Sequence, residues 1–208
     1  IVPRYLLPLR GVIDSQDIPL NVSRSALQTD RRVRSIANFI AKKVADRLKT
    51  LYADDKELYA NVWDSISPYI KIGAMEDDKF AQQIEDILLY PTKIEAEQTP
   101  REEDKEIISA NNKTYTTIEN YLNRLDKDAP KRILYCTDEL SQQSALNLWK
   151  SQGAEIIMAD TVIDTQFLPW LESKNDQIKF QRVDSELDSS LNEENPTLLN
   201  KEGENDSD

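Results

Sequence analysis

Arg24 stands where an arginine opposes its own helix. Asn21 or Ser23 is a good N-cap candidate, which puts Arg24 in the first turn of the segment that follows. The start of a helix carries unpaired N–H groups and the positive end of the macrodipole, so it attracts anions. A cation placed there makes sense if a shared anion, such as a phosphate, arrives from outside. A solvated surface arginine is the commoner explanation, and both readings stand at this point. Other chemistry is scarce. The chain has no histidine, which excludes His-based triads, His zinc sites and His general bases. Its single cysteine, Cys136, excludes disulfides and thiolate zinc clusters, fits a reducing compartment, and lies in an apolar run that predicts a core position. The four glycines, Gly11, Gly73, Gly153 and Gly203, are too far apart for a phosphate-cradling loop, so neither a P-loop nor a dinucleotide fingerprint is present.

The stretch that would position Arg24 is GVIDSQDIPLNVSRSALQ, Gly11 to Gln28. Val12 and Ile13 close an apolar run from Tyr5 to Ile13 that reads as a strand, with Pro8 confining it to an edge or a bulge. Asp14, Ser15 and Asp17 supply turn chemistry, and Pro19 biases Ile18 towards an extended conformation. A long helix then runs from about Ser23 to Leu51. Leu27, Val33, Ile36, Ile40, Val44, Leu48 and Leu51 recur at three- and four-residue steps on one face, and arginines and lysines cover the rest.

The segment PRYLLPLRGVIDSQDIPLNVSRSALQ, Pro3 to Gln28, closely resembles the catalytic-loop segment in the middle domain of the ninety-kilodalton heat-shock chaperones, the family called HtpG in bacteria. The family pattern reads approximately G-[VL]-[VI]-D-S-x-D-[LI]-P-L-N-[VL]-S-R-E-x-L-Q. The chain matches it at Gly11, Asp14, Ser15, Asp17, Pro19, Leu20, Asn21, Ser23, Arg24, Leu27 and Gln28, and departs from it at Ser25, where the family has glutamate. The resemblance implies that Arg24 reaches the γ-phosphate of ATP held by a separate N-terminal domain. It implies that Gln28, one turn on and on the same helix face, assists, with Asn21 and Ser23 supporting them. Weaker echoes are collinear: Lys71, Gly73, Glu76 and Asp77 resemble the family's K-x-G-x-x-E-D turn, and Thr117–Leu125 resembles its S-L-x-D-Y-x-x-R-M helix. The family's I-D-E segment, implicated in client binding in bacterial members, reads Ile163, Asp164, Thr165, Gln166 here.

The rest of the 208 residues orders itself around that loop. Asp54–Asp55 caps a second helix with Leu58, Val62, Trp63 and Ile66 inward; Ser67–Pro68 ends it, and Tyr69–Ile72 reads as extended. A third helix is predicted over Asp77–Tyr90, giving a helical coil at 53–91. From Thr92 to Asn112 apolar content collapses into a flexible acidic insertion. A second, smaller αβα unit at 113–183 opens with a helix initiated by Thr114 and Thr117. It continues as strand, helix, strand, helix, strand: Ile133–Thr137, Asp138–Gln152 with Leu140, Ala145, Leu148 and Trp149 packed, Ala154–Ala159, Ile163–Leu171 and Ile178–Val183. That alternation predicts a short parallel sheet, and the fold class is α/β. Residues 1–52 would be the end of the first αβα unit, with strand, catalytic loop and long helix, and residues 184–208 an acidic linker or tail.

A hydrophobic share of 39% and a charged share of 31% read as globular, and no apolar run is long enough for a membrane helix. Residues 184 to 208 hold nine acids and one lysine, a charge of −8 that leaves −4 of the total −12 for the remainder, so nucleic acid is a poor partner. The opening Ile1 suggests a piece of a longer protein. The expected whole is a cytoplasmic, homodimeric chaperone that assists folding of client proteins. Its partners are its own N-terminal ATPase domain and C-terminal dimerisation domain, and its ATP, with magnesium, is bound outside this chain. The fragment alone would be monomeric, without nucleic-acid or membrane partners, metal or ATPase activity. Two other readings remain: a non-catalytic α/β adaptor module, and a hydrolase using Asp138 or Asp160, which with Asp184 sit at strand ends but also suit helix caps and turns.

Overall fold

The computed structural model describes residues 2–10, 31–94, 107–125 and 131–185. The chain enters through a short 3-10 turn, Arg4–Leu6, that buries Tyr5 and Leu6. The strand expected from Tyr5 is therefore absent in its described part. Pro3 and Pro8 bracket the segment, and burial of two adjacent side chains favours a turn over the alternation of a strand. Helix α1 follows at Arg31–Asp54, with Ala41 and Ala45 buried and Ile40, Val44, Leu48 and Leu51 packed beside them.

Helix α2 spans Lys56–Glu76, opened by Asp55, whose carboxylate accepts from the Leu58 N–H (2.8 Å). It runs straight past the expected stop. Pro68 forfeits one intrahelical bond, yet the turns on either side bury Trp63, Ser67, Ile70, Lys71, Gly73 and Ala74, and that packing carries the helix through. Leu58, expected inward, is 47% exposed. Helix α3 is only Asp78–Ile84, capped by Asp77, and a 3-10 turn at Glu85–Ile87 follows. Tyr90 begins a strand instead of ending a helix, because Pro91 disfavours the helical conformation for the residue before it.

The expected insertion at 92–112 has strands at both ends. Strand β1 is Tyr90–Lys93, and β2, Ile108–Ala110, pairs antiparallel with β3, Lys113–Thr116. The hairpin between β2 and β3 turns at Asn111 (φ 50°) and Asn112 (φ 59°), a two-residue loop with both residues left-handed, which asparagine tolerates. The helix expected from Thr114 starts later: Thr117 caps α4, Ile118–Arg124, by accepting from the Asn120 N–H.

Strand β4 (Arg132–Cys136), helix α5 (Gln143–Ser151), strand β5 (Ile156–Met158), helix α6 (Asp164–Lys174) and strand β6 (Lys179–Arg182) complete the described fold. The sheet order is β2-β3-β1-β5-β4-β6. The expected parallel part is β5-β4-β6; β1 joins β5 antiparallel, so the sheet is mixed. Side chains alternate along β4. Leu134 and Cys136 pack with α5 through Ala145 and Leu146, while Ile133 joins Phe167 and Leu168 of α6 and the helical coil on the other face. Helix α5 starts five residues later than expected. The Asp138 carboxylate accepts from the Leu140 and Ser141 N–H groups and the Gln142 side chain accepts from the Thr137 and Asp138 N–H groups, so 138–142 is a turn. Leu140 consequently stands 86% exposed, and Leu148 46%. Gly153 takes φ 77° just past α5, the left-handed cap its position predicted.

Candidate functional site

Arg24 and Gln28, with Asn21 and Ser23, lie outside the described residues. What the structure places around them is the chain on either side. On the entering side, the Tyr5 ring lies against the backbone of α2 at Gly73, where an added Cβ would stand 2.5 Å from Tyr5 Cδ2. The ring also packs on Phe80 at 5.0 Å between centroids, and its hydroxyl donates to Asp77 Oδ2 (3.3 Å). Burial first, then the Asp77 charge, raises the Tyr5 phenol above its ordinary value, so it stays a neutral donor. On the leaving side, the basic flank of α1 is solvated at Arg34, Lys42, Lys43 and Arg47, and Lys49 pairs with Asp86 (3.1 Å).

The two motifs quoted apart in the sequence, around Lys71 and around Asp164, meet. Lys71 Nζ and Asp164 Oδ1 form an ion pair between α2 and the start of α6, with each side chain only 4% exposed. The rings of Tyr90 and Phe167 flank the ammonium at 5.5 and 5.8 Å. The second carboxylate oxygen accepts from the Thr161 hydroxyl (2.5 Å) and N–H (3.3 Å), so Asp164 is held on both sides. A desolvated pair of this kind persists because each charge is matched and further bonded.

A second buried cluster ties α4 to the sheet. Arg124 grips Glu155 with two N–H groups, Nε to Oε2 at 2.8 Å and Nη2 to Oε1 at 2.7 Å, and also donates to Thr116. The Thr92 hydroxyl donates to Glu155, and the Tyr121 hydroxyl donates to the Glu155 carbonyl while accepting from the Leu134 N–H. Burial pushes the Tyr121 phenol up to about 12. These bonds are all spent on structure.

The strand ends offer no catalytic set. Asp138 is occupied by its turn: the Ser141 side chain and N–H, then the Leu140 N–H, hold its carboxyl below the usual range. Asp160 is exposed, and Asp184 accepts from Arg182. Among the described residues no group of three or more histidines, cysteines, aspartates or glutamates is arranged to hold a metal ion. Cys136 is buried, and burial pushes its thiol up. Trp63 is core, at 1% exposure. Among the described residues no helix is long and apolar enough to cross a membrane. A groove of about 250 Å³ runs between α3 and α6, floored by Ala74, Leu88 and Trp170 and rimmed by Asp78, Glu85 and Lys174.

Neither Lys71 nor Asp164 stood out as a pair in the sequence, since they are 93 residues apart. The available signal was indirect: a lysine on an otherwise apolar helix face, and an aspartate beside apolar residues at a helix start.

The family model for Hsp90 protein matches residues 1–207. Among curated relatives, the chaperone protein HtpG of Porphyromonas gingivalis is 35% identical over 191 residues, covering 92% of this chain and 26% of that protein. Those of Bacteroides thetaiotaomicron (32%, covering 92% of this chain and 26% of that protein) and Francisella tularensis (30%, 97% and 31%) are similar. The chain thus spans about a quarter of the length of the first of these relatives. Among solved structures, the middle domain of a putative heat shock protein from Plasmodium falciparum superposes with a TM-score of 0.59 at 21% identity, covering 88% of this chain and 65% of that one.

Proposed function

Because the chain belongs to the Hsp90 family, we propose that it is the later part of the middle domain of an HtpG-type, ATP-dependent chaperone. The observation that carries this reading is the DSQDIPLNVSR stretch, Asp14 to Arg24, lying within a family match that runs from residue 1 to residue 207. The mixed α/β fold, shared with an Hsp90-type middle domain, is consistent with it.

In this reading ATP and its magnesium are bound by a separate domain, and closure brings Arg24 to the γ-phosphate. The guanidinium sets positive charge where negative charge spreads over the equatorial oxygens, with Gln28, four residues on in the sequence, assisting. An arginine supplied from a separate domain contributes about 10³–10⁵ in turnover. Unfolded or partly folded clients bind the middle region. The whole protein is a cytoplasmic homodimer, joined through a domain beyond this segment.

The test is ATP turnover by the full-length protein, wild type against Arg24→Ala, with nucleotide affinity measured alongside. A fall of about a hundredfold or more at unchanged affinity places Arg24 on the transition state. Equal turnover returns it to the surface and leaves a non-catalytic adaptor as the better description.

A further inference from the structure

The Lys71–Asp77 stretch is used twice, on opposite sides of the same helix. Lys71 and Gly73 are two residues apart, so at 3.6 residues per turn they face about 200° apart around α2. From one side Lys71 reaches Asp164 at the first turn of α6, in a pair with 4% exposure at each end. On the other, the missing side chain of Gly73 makes the notch that admits the Tyr5 ring. One turn on, Asp77 finishes the arrangement. One carboxylate oxygen caps α3 through the Lys79 and Phe80 N–H groups (3.0 and 3.1 Å), and the other accepts from Tyr5. The last turns of α2 are therefore a layer clamped between the sheet unit and the segment leading to residue 11.

That lead segment has little else to hold it. Its own backbone bonds are Leu6 N–H to Pro3 and Leu9 N–H to Leu6, both 3.0 Å, with Leu7 to Arg4 at 3.2 Å, and Leu7 and Leu9 stand 71% and 54% exposed. Its placement rests on buried Tyr5 and Leu6, with half-buried Val2 packed against the same core.

We infer that this stretch is a joint: through Lys71–Asp164 on one side and Gly73–Tyr5–Asp77 on the other, the sheet unit sets the position of residues 2–10, the segment that precedes the Arg24 stretch in the sequence. Lys71, Gly73 and Tyr5 are then positioning residues for phosphate contact. The inference rests on the ATPase reading above and adds to it a route by which the unit carrying α6 biases hydrolysis. The direction of that influence is set by rigidity. Lys71 and Gly73 are both buried on one continuous helix, so displacing α6 displaces the Tyr5 ring packed at Gly73 rather than being absorbed between them.

The experiment uses the full-length protein with Lys71→Met and Asp164→Leu together, which removes the pair without stranding a charge, with Arg24→Ala as reference. Gly73→Ala and Tyr5→Phe are second variants, one filling the notch and one removing only the bond to Asp77. Amide hydrogen exchange over residues 2–10 is read beside kcat and KM for ATP. The joint predicts exchange at Leu6, Leu7 and Leu9 faster by about fivefold or more in the Lys71/Asp164 variant, across the helix from the change. It also predicts kcat about tenfold lower at unchanged KM, and a combination with Gly73→Ala that is less than additive. Exchange unchanged in a folded Lys71/Asp164 variant overturns the joint. So does faster exchange with wild-type kcat while Arg24→Ala abolishes turnover, since the contacts are then packing alone. If Arg24→Ala has no effect, the ATPase reading itself falls, and the positioning role with it.

Discussion

Replacing Lys71 with methionine isolates a charge. The side chain is close in volume, so the packing against Tyr90 and Phe167 is largely kept, while Asp164 loses its counter-ion at a place where both partners are 4% exposed. Removing one partner of a buried pair costs about 3–5 kcal/mol, because the remaining charge is left uncompensated. Asp164 retains the Thr161 hydroxyl and N–H bonds, which puts the expectation at the low end, about 3 kcal/mol. For a chain of this size a kilocalorie is worth about 2–4 °C, so the midpoint should fall by about 6–12 °C. Adding Asp164→Leu removes the stranded carboxylate and should return stability to within about 1 kcal/mol of wild type. Thermal and urea unfolding of the 208-residue chain, followed by circular dichroism at neutral pH, reads both numbers. A midpoint lowered by less than about 2 °C in Lys71→Met would mean that the pair is solvated. A double variant as unstable as the single one would put the loss in packing, and the stranded-charge argument would be wrong.

The Arg124–Glu155 clasp obeys the same logic: Arg124→Ala leaves a carboxylate that is 7% exposed, so a loss of about 3 kcal/mol is expected in urea unfolding. Glu155→Gln, which still accepts from Thr92 and Arg124, should lose less. Acid should loosen the join between α6 and β6. The Phe180 N–H, helped by Lys179, holds the Glu172 carboxyl below its ordinary value of 4.5, and a lowered folded pKa gives stability that is present above the unfolded pKa and lost as pH falls through the folded one. The stability difference between wild type and Glu172→Gln should thus be largest near neutrality and shrink below about pH 4.5, as read by denaturation series across pH.

Local signals were legible wherever one residue's chemistry settles its own neighbourhood. Asp55, Asp77 and Thr117 cap helices because a short acceptor side chain reaches the N–H groups two or three residues on. Gly153 ends α5 because only glycine takes a left-handed φ without strain. The apolar runs Ile133–Thr137, Ala154–Ala159 and Ile178–Val183 each hold one of the three strands of the parallel part, as short apolar segments between helical ones do. Where local and tertiary preferences disagreed, burial decided. Pro68 stops a helix that has nothing else to gain, and α2 has six buried residues from Trp63 to Ala74 to pull it through. A hydrophobic run starting at Tyr5 suits a strand, but Gly73 offers the ring a notch and the segment turns. The hairpin at Asn111–Asn112 was within reach of turn chemistry, and the polar composition around it concealed the strands on either side.

By itself the sequence determined the α/β class, the absence of histidine chemistry and of a phosphate-cradling loop, and the motif that marks the family. The last two are statements about residue identity or spacing within a few positions, which no packing can alter, and the class follows from the alternation of apolar runs and helical stretches along 133–183. Only the tertiary structure decided that Lys71 belongs with Asp164, Arg124 with Glu155, and Tyr5 with Gly73 and Asp77. Those pairings join residues 93, 31, 68 and 72 positions apart, where nothing in either local stretch specifies the other. They exist because a charge leaving water, or a ring needing cover, is stable only against the one surface that the folded sheet and helices bring to it.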